Sequence, residues 1–413
     1  MIQGKKIAIV GGGASGLISG YLLGKSYDIT IYEKEQILGG NIRTLNKNVT
    51  GTNLPAHLNI ENGVLGFSQS YYPNFHKLLH HLGMSYNSYK PSISLFNAEE
   101  FYPARVASYL NYACFEKMLI KPNYRSEIGH LLNAQKDFKK VLPLLDPKGQ
   151  SFTDYPISPG LYKKYLQSLF MLSFSTPFTQ VPHLPQSLLN AYLVTLPNST
   201  WSFINGGVYT YLETIISKSN MRLLCNSKGI KISRKPDGVE INLKGEVHKY
   251  DAVIISTTPG SIKGLLHDMS DLEIAIFSDM NDQVFKTIAH TDLSFYGPHR
   301  NVKKTPMDLF LENNESNIGY NAYQNDAYQL KTNKNYSFAY NLDDMISKEA
   351  ILNEVKHTVP FYSKNHDSKI KLIESINGLN RTFYSGAYLG NGLHEGAAES
   401  AMRVAFKLGG NVL

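Results

Sequence analysis

The start of the chain contains the feature that most constrains its fold, an apolar segment that runs directly into a glycine-rich turn. Residues Ile7 to Val10 predict a short buried strand. Gly11, Gly13 and Gly16 follow in the G-x-G-x-x-G spacing, and a helical pattern continues after them. In this spacing the first glycine allows a tight turn, the second lets the backbone approach a pyrophosphate, and the third lets the helix pack against the strand. The sequence therefore predicts a dinucleotide phosphate at the N-terminus of this helix, where free N–H groups favour negative charge.

An acidic residue after the next strand supports the same interpretation. Asp28 to Tyr32 predict a second strand, which ends on Glu33. An acid at this position accepts hydrogen bonds from both ribose hydroxyls of an adenosine and repels a 2′-phosphate, which disfavours NADP. A G-x-G-x-x-G motif alone is weak evidence because glycine-rich turns are common, but strand, glycines, helix, strand and acid occur here in the required order. The pattern predicts an α/β protein with a Rossmann-like domain.

A second glycine pair favours FAD over NAD as the bound dinucleotide. Gly39 and Gly40 follow Glu33 closely, and Arg43 comes after them. Such a pair brings backbone to the far side of the pyrophosphate, and Arg43 could neutralise charge there. A simple NAD dehydrogenase does not need this second loop. The segment therefore favours FAD, with a plain surface turn as the alternative.

The composition is that of a soluble globular protein, and the length suits two domains or one large two-lobed body. The chain has 413 residues, of which 42% are hydrophobic and 18% charged, and its formal net charge is +7. It has no block of five or more like charges, which argues against a nucleic-acid partner, while an anionic substrate or a peripheral membrane contact stays open. Cys114 and Cys225 are the only cysteines, so neither a disulfide framework nor a cysteine-built zinc site is implied.

No metal site or membrane segment is predicted. His76 and His80 could share a metal on one helical face, but no H-E-x-x-H pattern or suitably spaced carboxylate accompanies them. The first residues are typical of a strand rather than of a signal peptide, and no apolar stretch is long enough to span a bilayer. These features predict a cytoplasmic protein.

The order of patterns along the chain predicts two discontinuous domains. Short alternating segments followed by D-A-V-I-I-S-T-T-P indicate a β-meander and a return to the parallel sheet. We predict a Rossmann-like FAD-binding domain built from residues 1–66, 200–260 and 373–413. Helical, aromatic and proline-rich segments predict an inserted α+β substrate-binding domain from residues 67–199 and 261–372.

The end of the chain repeats the junction of strand, glycine and helix. The segment R-T-F-Y-S-G-A-Y-L-G predicts a strand that breaks at Gly386, and Glu395 begins a helix. In a doubly wound sheet this strand lies near the first one, so the helix N-terminus faces the bound cofactor. An extended flavin dinucleotide would reach from the first glycine turn to this second junction.

These segments resemble the FAD-dependent amine oxidase superfamily, which includes monoamine and polyamine oxidases, protoporphyrinogen oxidase and phytoene desaturases. Within it the chain is most similar to bacterial proteins described as predicted NAD/FAD-binding proteins, through His290–Asp292 and Gly386–Glu395. The resemblance covers the three nucleotide-binding segments and is weak in the substrate-binding domain. It implies hydride abstraction from a C–N or C–C bond by FAD. The cysteine that tethers flavin in monoamine oxidases is absent, so the FAD is expected to bind noncovalently.

The resemblance also implies a set of site residues. Lys286, in D-Q-V-F-K-T-I-A-H, is the candidate for the family's catalytic lysine. The cofactor contacts come from the two glycine turns, the ribose acid, the β-meander and the final junction, and they are Gly11, Gly13, Ala14, Ser15, Gly16, Glu33, Lys34, Gly39, Gly40, Asn41, Arg43, Gly229, Gly386, Leu393, His394, Glu395 and Ala397.

One departure from the family pattern concerns the substrate. Amine oxidases commonly carry G-Y-x-E-G-A at the final junction, and the tyrosine forms one wall of an aromatic cage, whereas this chain has Leu393 there. An amine cation would lose about 0.5–2 kcal/mol of cation–π stabilisation per missing ring. We therefore expect an apolar or lipid-like small-molecule substrate. Candidates for the lining of its pocket are Tyr71, Tyr72, Phe75, Phe170, Met171 and Phe174.

Two other functions are compatible with the sequence. One is an FAD-dependent desaturase or isomerase that acts on a lipid or isoprenoid, which Leu393 and the apolar inserted domain favour. The other is a flavin-binding protein without turnover that serves a partner complex.

Overall fold

Five parallel strands form the sheet that carries the first glycine turn. The computed structural model describes residues 5–90, 93–96, 101–104, 167–189, 200–311, 318–363 and 365–410. The strands of this sheet, given in spatial order, are Arg222–Leu224, Asp28–Tyr32, Lys6–Val10, Ala252–Ile255 and Thr382–Tyr384. Every adjacent pair among them is parallel. The predicted α/β class with a Rossmann-like sheet is thereby confirmed.

In chain order, the described strands are β1 (Lys6–Val10), β2 (Asp28–Tyr32), β3 (Thr44–Leu45), β4 (Ile60–Glu61), β5 (Phe67–Ser68), β6 (Tyr86–Tyr89), β7 (Ile93–Phe96), β8 (Phe101–Ala104), β9 (Trp201–Ile204), β10 (Arg222–Leu224), β11 (Lys231–Arg234), β12 (Val239–Leu243), β13 (Glu246–Tyr250), β14 (Ala252–Ile255), β15 (Asp282–His290), β16 (Met307–Leu311), β17 (Ile318–Tyr323), β18 (Ser337–Tyr340), β19 (Ile351–Pro360) and β20 (Thr382–Tyr384). The helices are α1 (Ala14–Leu23), α2 (Pro73–Leu82), α3 (Gln167–Phe174), α4 (Tyr209–Ser217), α5 (Pro259–Leu265), α6 (Asp271–Phe277), α7 (His366–Ile376) and α8 (His394–Lys407).

Small residues let α1 pack closely on the parallel sheet. The helix sequence A-S-G-L-I-S-G-Y-L-L has no charged residue, and most of its side chains are buried. A Cβ atom on Gly16 would overlap the carbonyl oxygen of Gly11, which is the close approach expected of the third glycine in the motif. The helix also contacts α4 and α8. The first and last segments of the chain therefore meet beside one sheet.

A second, seven-stranded sheet stands opposite the parallel one. Its spatial order is β19-β15-β18-β17-β16-β7-β8, antiparallel except between β16 and β7. A separate aromatic core covers part of it, in which Phe96 stacks on Phe310 at 4.9 Å and meets Tyr296 edge-on. Phe285 and Thr287, on β15, face the space between the two sheets.

The predicted β-meander is present and is tied to the parallel sheet by a buried ion pair. Strands β11, β12 and β13 form a three-stranded antiparallel sheet. Arg234 donates to both carboxylate oxygens of Glu273 at 2.6 and 2.9 Å, and Tyr384 donates to the same carboxylate at 2.6 Å. Burial opposes ionisation of Glu273, but these bonds lower its pKa to about 2. The contact joins β11, α6 and β20.

The described residues bear on two expectations from the sequence, that the chain has no membrane-spanning helix and no metal site. Within those residues, no helix combines the length and apolar character needed to cross a bilayer. No cluster of histidine, cysteine, aspartate and glutamate suited to a metal ion occurs in the same part of the chain.

Candidate functional site

A cavity of about 320 Å³ lies where the carboxyl ends of the parallel strands face the seven-stranded sheet. Open α/β sheets bind ligands at this edge. On one side the cavity is lined by the first glycine turn, the second glycine turn and the final junction, through Gly13, Ala14, Ser15, Gly39, Gly40, Asn41, Ile42, Gly386, Ala387, Tyr388, Leu393, His394 and Ala397. On the other side it is lined by Phe285, Thr287, Met307, Tyr320, Phe338, Tyr340, His357, Val359, Pro360 and Tyr362. The cavity therefore joins the three segments that the sequence predicts to bind one cofactor.

The first glycine turn presents backbone N–H groups to this cavity. Gly11 has a φ of 114°, which a residue with a side chain rarely adopts, and its N–H donates to Tyr32 at 2.8 Å. Gly13 precedes α1, and no side chain caps that helix. The uncapped N–H groups at Ala14 and Ser15 line the cavity, where they suit a phosphate.

The second glycine turn approaches the first from the opposite side. The N–H of Gly39 donates to the carbonyl of Gly12 at 2.8 Å, and a Cβ atom on Gly13 would lie 3.7 Å from Cα of Gly40. The Arg43 guanidinium donates to the carbonyl oxygens of Gly40 and Ile42. Burial lowers the pKa of Arg43, while the nearby carboxylates of Glu33 and Glu35 oppose the shift. Arg43 does not itself line the cavity, so its positive charge would act on a pyrophosphate from behind the second glycine turn.

The ribose acid lies beside the first turn. Glu33 is buried, and its two oxygens accept hydrogen bonds from the N–H groups of Gly12 and Glu35, both at 2.8 Å. The N–H of Ser227 donates to the Glu33 carbonyl at 2.8 Å, which holds the turn that contains Gly229 at this end of the site. Lys34 is exposed, and neither Lys34 nor Gly229 lines the cavity.

The final junction differs in detail from the prediction. The N–H of Gly396 donates to the Asn391 side chain at 2.9 Å, and the N–H of Ala397 donates to the Leu393 carbonyl at 3.1 Å. The N–H groups of Gly396 and Ala397 therefore already have hydrogen-bond partners within the protein. Leu393, at the N-cap, makes no side-chain hydrogen bond to the helix, and His394 is the first-turn residue that lines the cavity with no described partner for its N–H, which leaves that group for a ligand.

Two predicted side chains point away from the cofactor space. The Glu395 carboxylate binds the start of α2 and does not line the cavity. Lys286 also does not line the cavity, although its neighbours on β15 do. Its ammonium group is ion-paired with Asp343 and Glu354 on the outer face of the sheet. Alternate residues of a strand face opposite sides, so Lys286 is not placed to act as a catalytic lysine in this cavity.

Several residues that the sequence analysis did not single out belong to the site. The hydroxyl of Ser385 bonds to those of Ser15 at 2.8 Å and Ser256 at 2.6 Å, which joins α1 to the ends of β14 and β20. Thr287 and His357 lie on neighbouring strands and line the cavity, with Oγ1 and Nε2 2.8 Å apart. No local sequence signal marks these residues, since the chain separates them widely.

The wall of the cavity is aromatic and aliphatic. Of the side chains proposed for it, Tyr72, Met171 and Phe174 line the cavity, while the others are buried in the core. Among the lining residues that the structure describes, none is an aspartate, glutamate, lysine or arginine. Burial lowers the pKa of His394 to about 4, so this residue is also neutral at pH 7. The described wall therefore carries no formal charge.

Comparisons with known proteins concern the first segment of the chain and the fold. Residues 9–82 match the family of NAD(P)-binding Rossmann-like domains. The chain is similar to a CLA-producing fatty acid isomerase from P. acnes, with 16% identity, a TM-score of 0.68 and coverage of 98% of each chain. It is also similar to a candidate protoporphyrinogen oxidase from Exiguobacterium sp. 255-15, with 12% identity, a TM-score of 0.67 and coverage of 98% of each chain.

A third similar structure is cyclohexylamine oxidase from Brevibacterium oxydans, with 11% identity and a TM-score of 0.66. That match covers 98% of this chain and 99% of the oxidase. A comparison with curated proteins yields no match. At these identities the similarity concerns the fold. The fold implied by the resemblance to the FAD-dependent amine oxidase superfamily is therefore confirmed over nearly the whole chain.

Proposed function

We propose that this protein is an FAD-dependent oxidoreductase that takes a hydride from a C–H bond of an uncharged, largely apolar substrate, so that an adjoining C–N or C–C single bond becomes a double bond with loss of a proton. The observation that carries the proposal is a single cavity that joins two glycine turns to a wall without formal charge. Bound FAD supplies the redox chemistry of its isoalloxazine ring, while the protein supplies binding, orientation and electrostatics.

The residues present fit FAD. The uncapped start of α1 and the backbone at Gly39 and Gly40 line the cavity where a pyrophosphate would bind, and the Arg43 guanidinium lies behind them on the Gly40 carbonyl. Glu33, whose carboxylate accepts from the N–H of Gly12 beside the first turn, would be the residue nearest the ribose. The start of α8 lines the far end of the same cavity, which suits the flavin end of an extended dinucleotide. The fit does not require a covalent bond to the chain.

The substrate class is inferred from the lack of charged side chains in the described cavity wall. Moving an unpaired charge from water into an apolar cavity costs several kcal/mol unless a counter-charge compensates it. The described wall offers no carboxylate to an amine cation, and Leu393 offers no aromatic face. An apolar molecule pays no such cost and gains from burial against Met171, Phe174 and Phe338.

The same wall favours a second candidate function, an FAD-dependent desaturase or isomerase of a lipid or isoprenoid. One protein with this fold is a fatty acid isomerase. A desaturase reduces its flavin during turnover, whereas an isomerase returns it to the starting redox state after moving a double bond. The two reactions are therefore separable by a single spectroscopic assay combined with product analysis.

The test is anaerobic mixing of the FAD-loaded protein with three sets of compounds: primary amines, polyamines and unsaturated lipids. We expect loss of the visible flavin absorbance with apolar compounds and little change with amines. A shifted double bond in a recovered lipid, without loss of absorbance, would favour the isomerase. Rapid reduction by a simple amine and none by any lipid would contradict the proposal. No reaction with any compound, together with a stable protein partner, would favour a non-catalytic flavoprotein.

A further inference from the structure

Three serine hydroxyls form a hydrogen-bonded network where the first glycine turn meets the final junction. Ser15 lies in the first turn of α1, Ser256 follows β14 and Ser385 follows β20. The Ser15 hydroxyl donates to Oγ of Ser385 at 2.8 Å, and Oγ of Ser385 lies 2.6 Å from Oγ of Ser256. Ser385 is 0% exposed, whereas Ser15 and Ser256 both line the cavity. The network therefore connects two cavity-lining hydroxyls through a fully buried one.

The burial of Ser385 gives this network a direction. A serine hydroxyl has one proton to donate, and the recorded partners of the Ser385 hydroxyl among the described residues are Ser15 and Ser256. If Ser256 donated to Ser385, the Ser385 proton would have no acceptor in a buried position, which costs about 1–3 kcal/mol. Ser385 therefore donates to Ser256, and the Ser256 proton has no acceptor in the part of the chain that the structure describes.

The two threonines that follow Ser256 already donate their hydroxyl protons within the protein. Thr257 donates to the carbonyl oxygen of Thr258 at 3.2 Å, and Thr258 donates to the carboxylate of Asp282. Ser256, Thr257 and Thr258 all line the cavity at the end of β14. Of their three hydroxyls, the Ser256 hydroxyl is therefore the donor that is available to a ligand.

The position of Ser256 indicates which part of a ligand this donor meets. Its N–H donates to the carbonyl oxygen of Val10 at 2.8 Å, which holds it at the end of the parallel sheet. A Cβ atom on Gly11 would lie 2.5 Å from the Ser256 carbonyl oxygen, so Ser256 packs directly against the first glycine turn. The uncapped N–H groups of that turn suit a phosphate. A hydrogen bond from a hydroxyl to a charged phosphate oxygen is stronger than one between neutral groups.

We propose that the Ser256 hydroxyl donates a hydrogen bond to a phosphate oxygen of the bound dinucleotide, and that Ser385 is the positioning residue that orients this hydroxyl. In this arrangement Ser15 contributes its backbone N–H to the phosphate, because its hydroxyl proton is donated to Ser385. The inference rests on the proposed binding of FAD. It adds one side-chain donor to the backbone N–H groups of the first glycine turn.

The test measures the binding of FAD, ADP and adenosine to the full-length protein freed of its FAD. ADP shares the pyrophosphate of FAD, and adenosine lacks it. Quenching of flavin fluorescence reports FAD binding, and titration calorimetry reports the other two. Ser256→Ala should bind FAD and ADP about tenfold more weakly, as the loss of one charge-assisted hydrogen bond predicts, with adenosine binding unchanged.

Two further variants serve as controls for Ser256→Ala. Ser256→Thr keeps the hydroxyl and should keep most of the affinity for ADP. Ser375→Ala is the matched serine substitution, because Ser375 is exposed on α7 and does not line the cavity. We expect the affinities of that variant for all three ligands to equal those of the wild type.

A double variant separates positioning by Ser385 from a merely structural role. Ser385→Ala should weaken ADP binding about threefold, because the Ser256 hydroxyl loses the donor that orients it. If Ser385 acts through Ser256, the double variant should bind ADP no more weakly than Ser256→Ala alone. Additive losses would overturn the positioning role. Ser256 is only partly buried, so Ser256→Ala carries the test if Ser385→Ala fails to fold.

The outcomes distinguish this inference from the function on which it rests. Unchanged binding of FAD and ADP in Ser256→Ala would overturn the role of Ser256 alone. Weaker FAD binding with unchanged ADP binding would place the contact on the ribityl or flavin part of the cofactor and also overturn it. Equal losses for ADP and adenosine would show that the substitution disturbs the site as a whole. A wild-type protein that binds neither FAD nor ADP would contradict both this inference and the proposed function.

Discussion

The carboxylate of Glu395 accepts two hydrogen bonds from Asn74, one from its backbone N–H at 3.0 Å and one from its side-chain amide at 2.6 Å. The other carboxylate oxygen accepts from the N–H of Phe75 at 3.0 Å. These N–H groups belong to the first turn of α2, which no other side chain caps. Burial raises the pKa of Glu395, and these bonds oppose the shift. A residue expected beside the cofactor therefore anchors α8 to α2.

This contact predicts that Glu395→Ala destabilises the protein by about 2 kcal/mol, since it removes a helix cap and charge-assisted hydrogen bonds. Urea unfolding measures the loss. Glu399→Ala is the matched control on the same helix, because Glu399 is half-exposed and forms only surface ion pairing with Arg403. We expect that variant to lose about 0.5 kcal/mol or less. Equal losses in the two variants would contradict the anchoring role.

A buried carboxyl group beneath the site predicts a pH-dependent stability. Glu61 is 0% exposed, and burial raises its pKa to about 8, although the Val208 N–H and the Thr44 hydroxyl donate to it. The folded protein keeps this proton up to about pH 8, whereas the unfolded chain releases it near its ordinary value of 4.5. The contribution of Glu61 to stability is therefore present at low pH and is lost as the pH rises through that window.

Glu61→Gln should remove this dependence, because an amide keeps the shape and does not ionise. The free energy of unfolding of the variant relative to wild type should increase by roughly 2–4 kcal/mol between about pH 5 and about pH 8. Denaturant titrations at three pH values provide the measurement. Parallel pH profiles for the two proteins would show that Glu61 is ionised in the folded state.

The first glycine turn predicts the effect of a side chain at Gly13. Valine there would fill the space between Gly13 and Gly40, where the pyrophosphate is expected, so FAD content should collapse while the far-ultraviolet circular dichroism largely survives. Acid release and quantification of FAD measure the occupancy. Gly264→Val is the control, since Gly264 is exposed and a Cβ atom there meets nothing within 4 Å. Full flavin content in Gly13→Val would refute the phosphate assignment.

Leu393 predicts how the substrate preference can be changed. This side chain lines the cavity at the start of α8. Leu393→Tyr adds an aromatic face, which should strengthen binding of a simple amine by about 0.5–2 kcal/mol and weaken that of apolar probes. Leu393→Met supplies bulk without a π face and should leave the amine unaffected. The assay is the rate of anaerobic flavin reduction by benzylamine. Identical rates in the wild type, Leu393→Tyr and Leu393→Met would show that the amine does not bind next to residue 393.

The nucleotide-binding end was predictable from the sequence because its determinants are local or lie in adjacent parallel strands. The glycine spacing in the first turn specifies backbone conformations that few other residues adopt. The strand register pairs Val10 with Tyr32, which brings Glu33 directly beside Gly12. The β-meander and the return of β14 to the parallel sheet were also predictable from the sequence, because both depend on short hydrophobic patterns.

The roles of individual side chains needed the tertiary structure. The packing of the seven-stranded sheet against the parallel sheet determines which face of β15 meets the cavity. In this arrangement Thr287 faces the cavity and Lys286 lies on the outer face. A shift by one residue reverses every side chain on a strand, so motif position alone could not decide it. Glu395 bonds to a residue 321 positions away, and Thr287 to His357 across 70 positions. The sequence by itself determined the dinucleotide turn and the class of fold, because backbone geometry and periodicity are local; only the packing of distant elements decided which polar groups face the cavity.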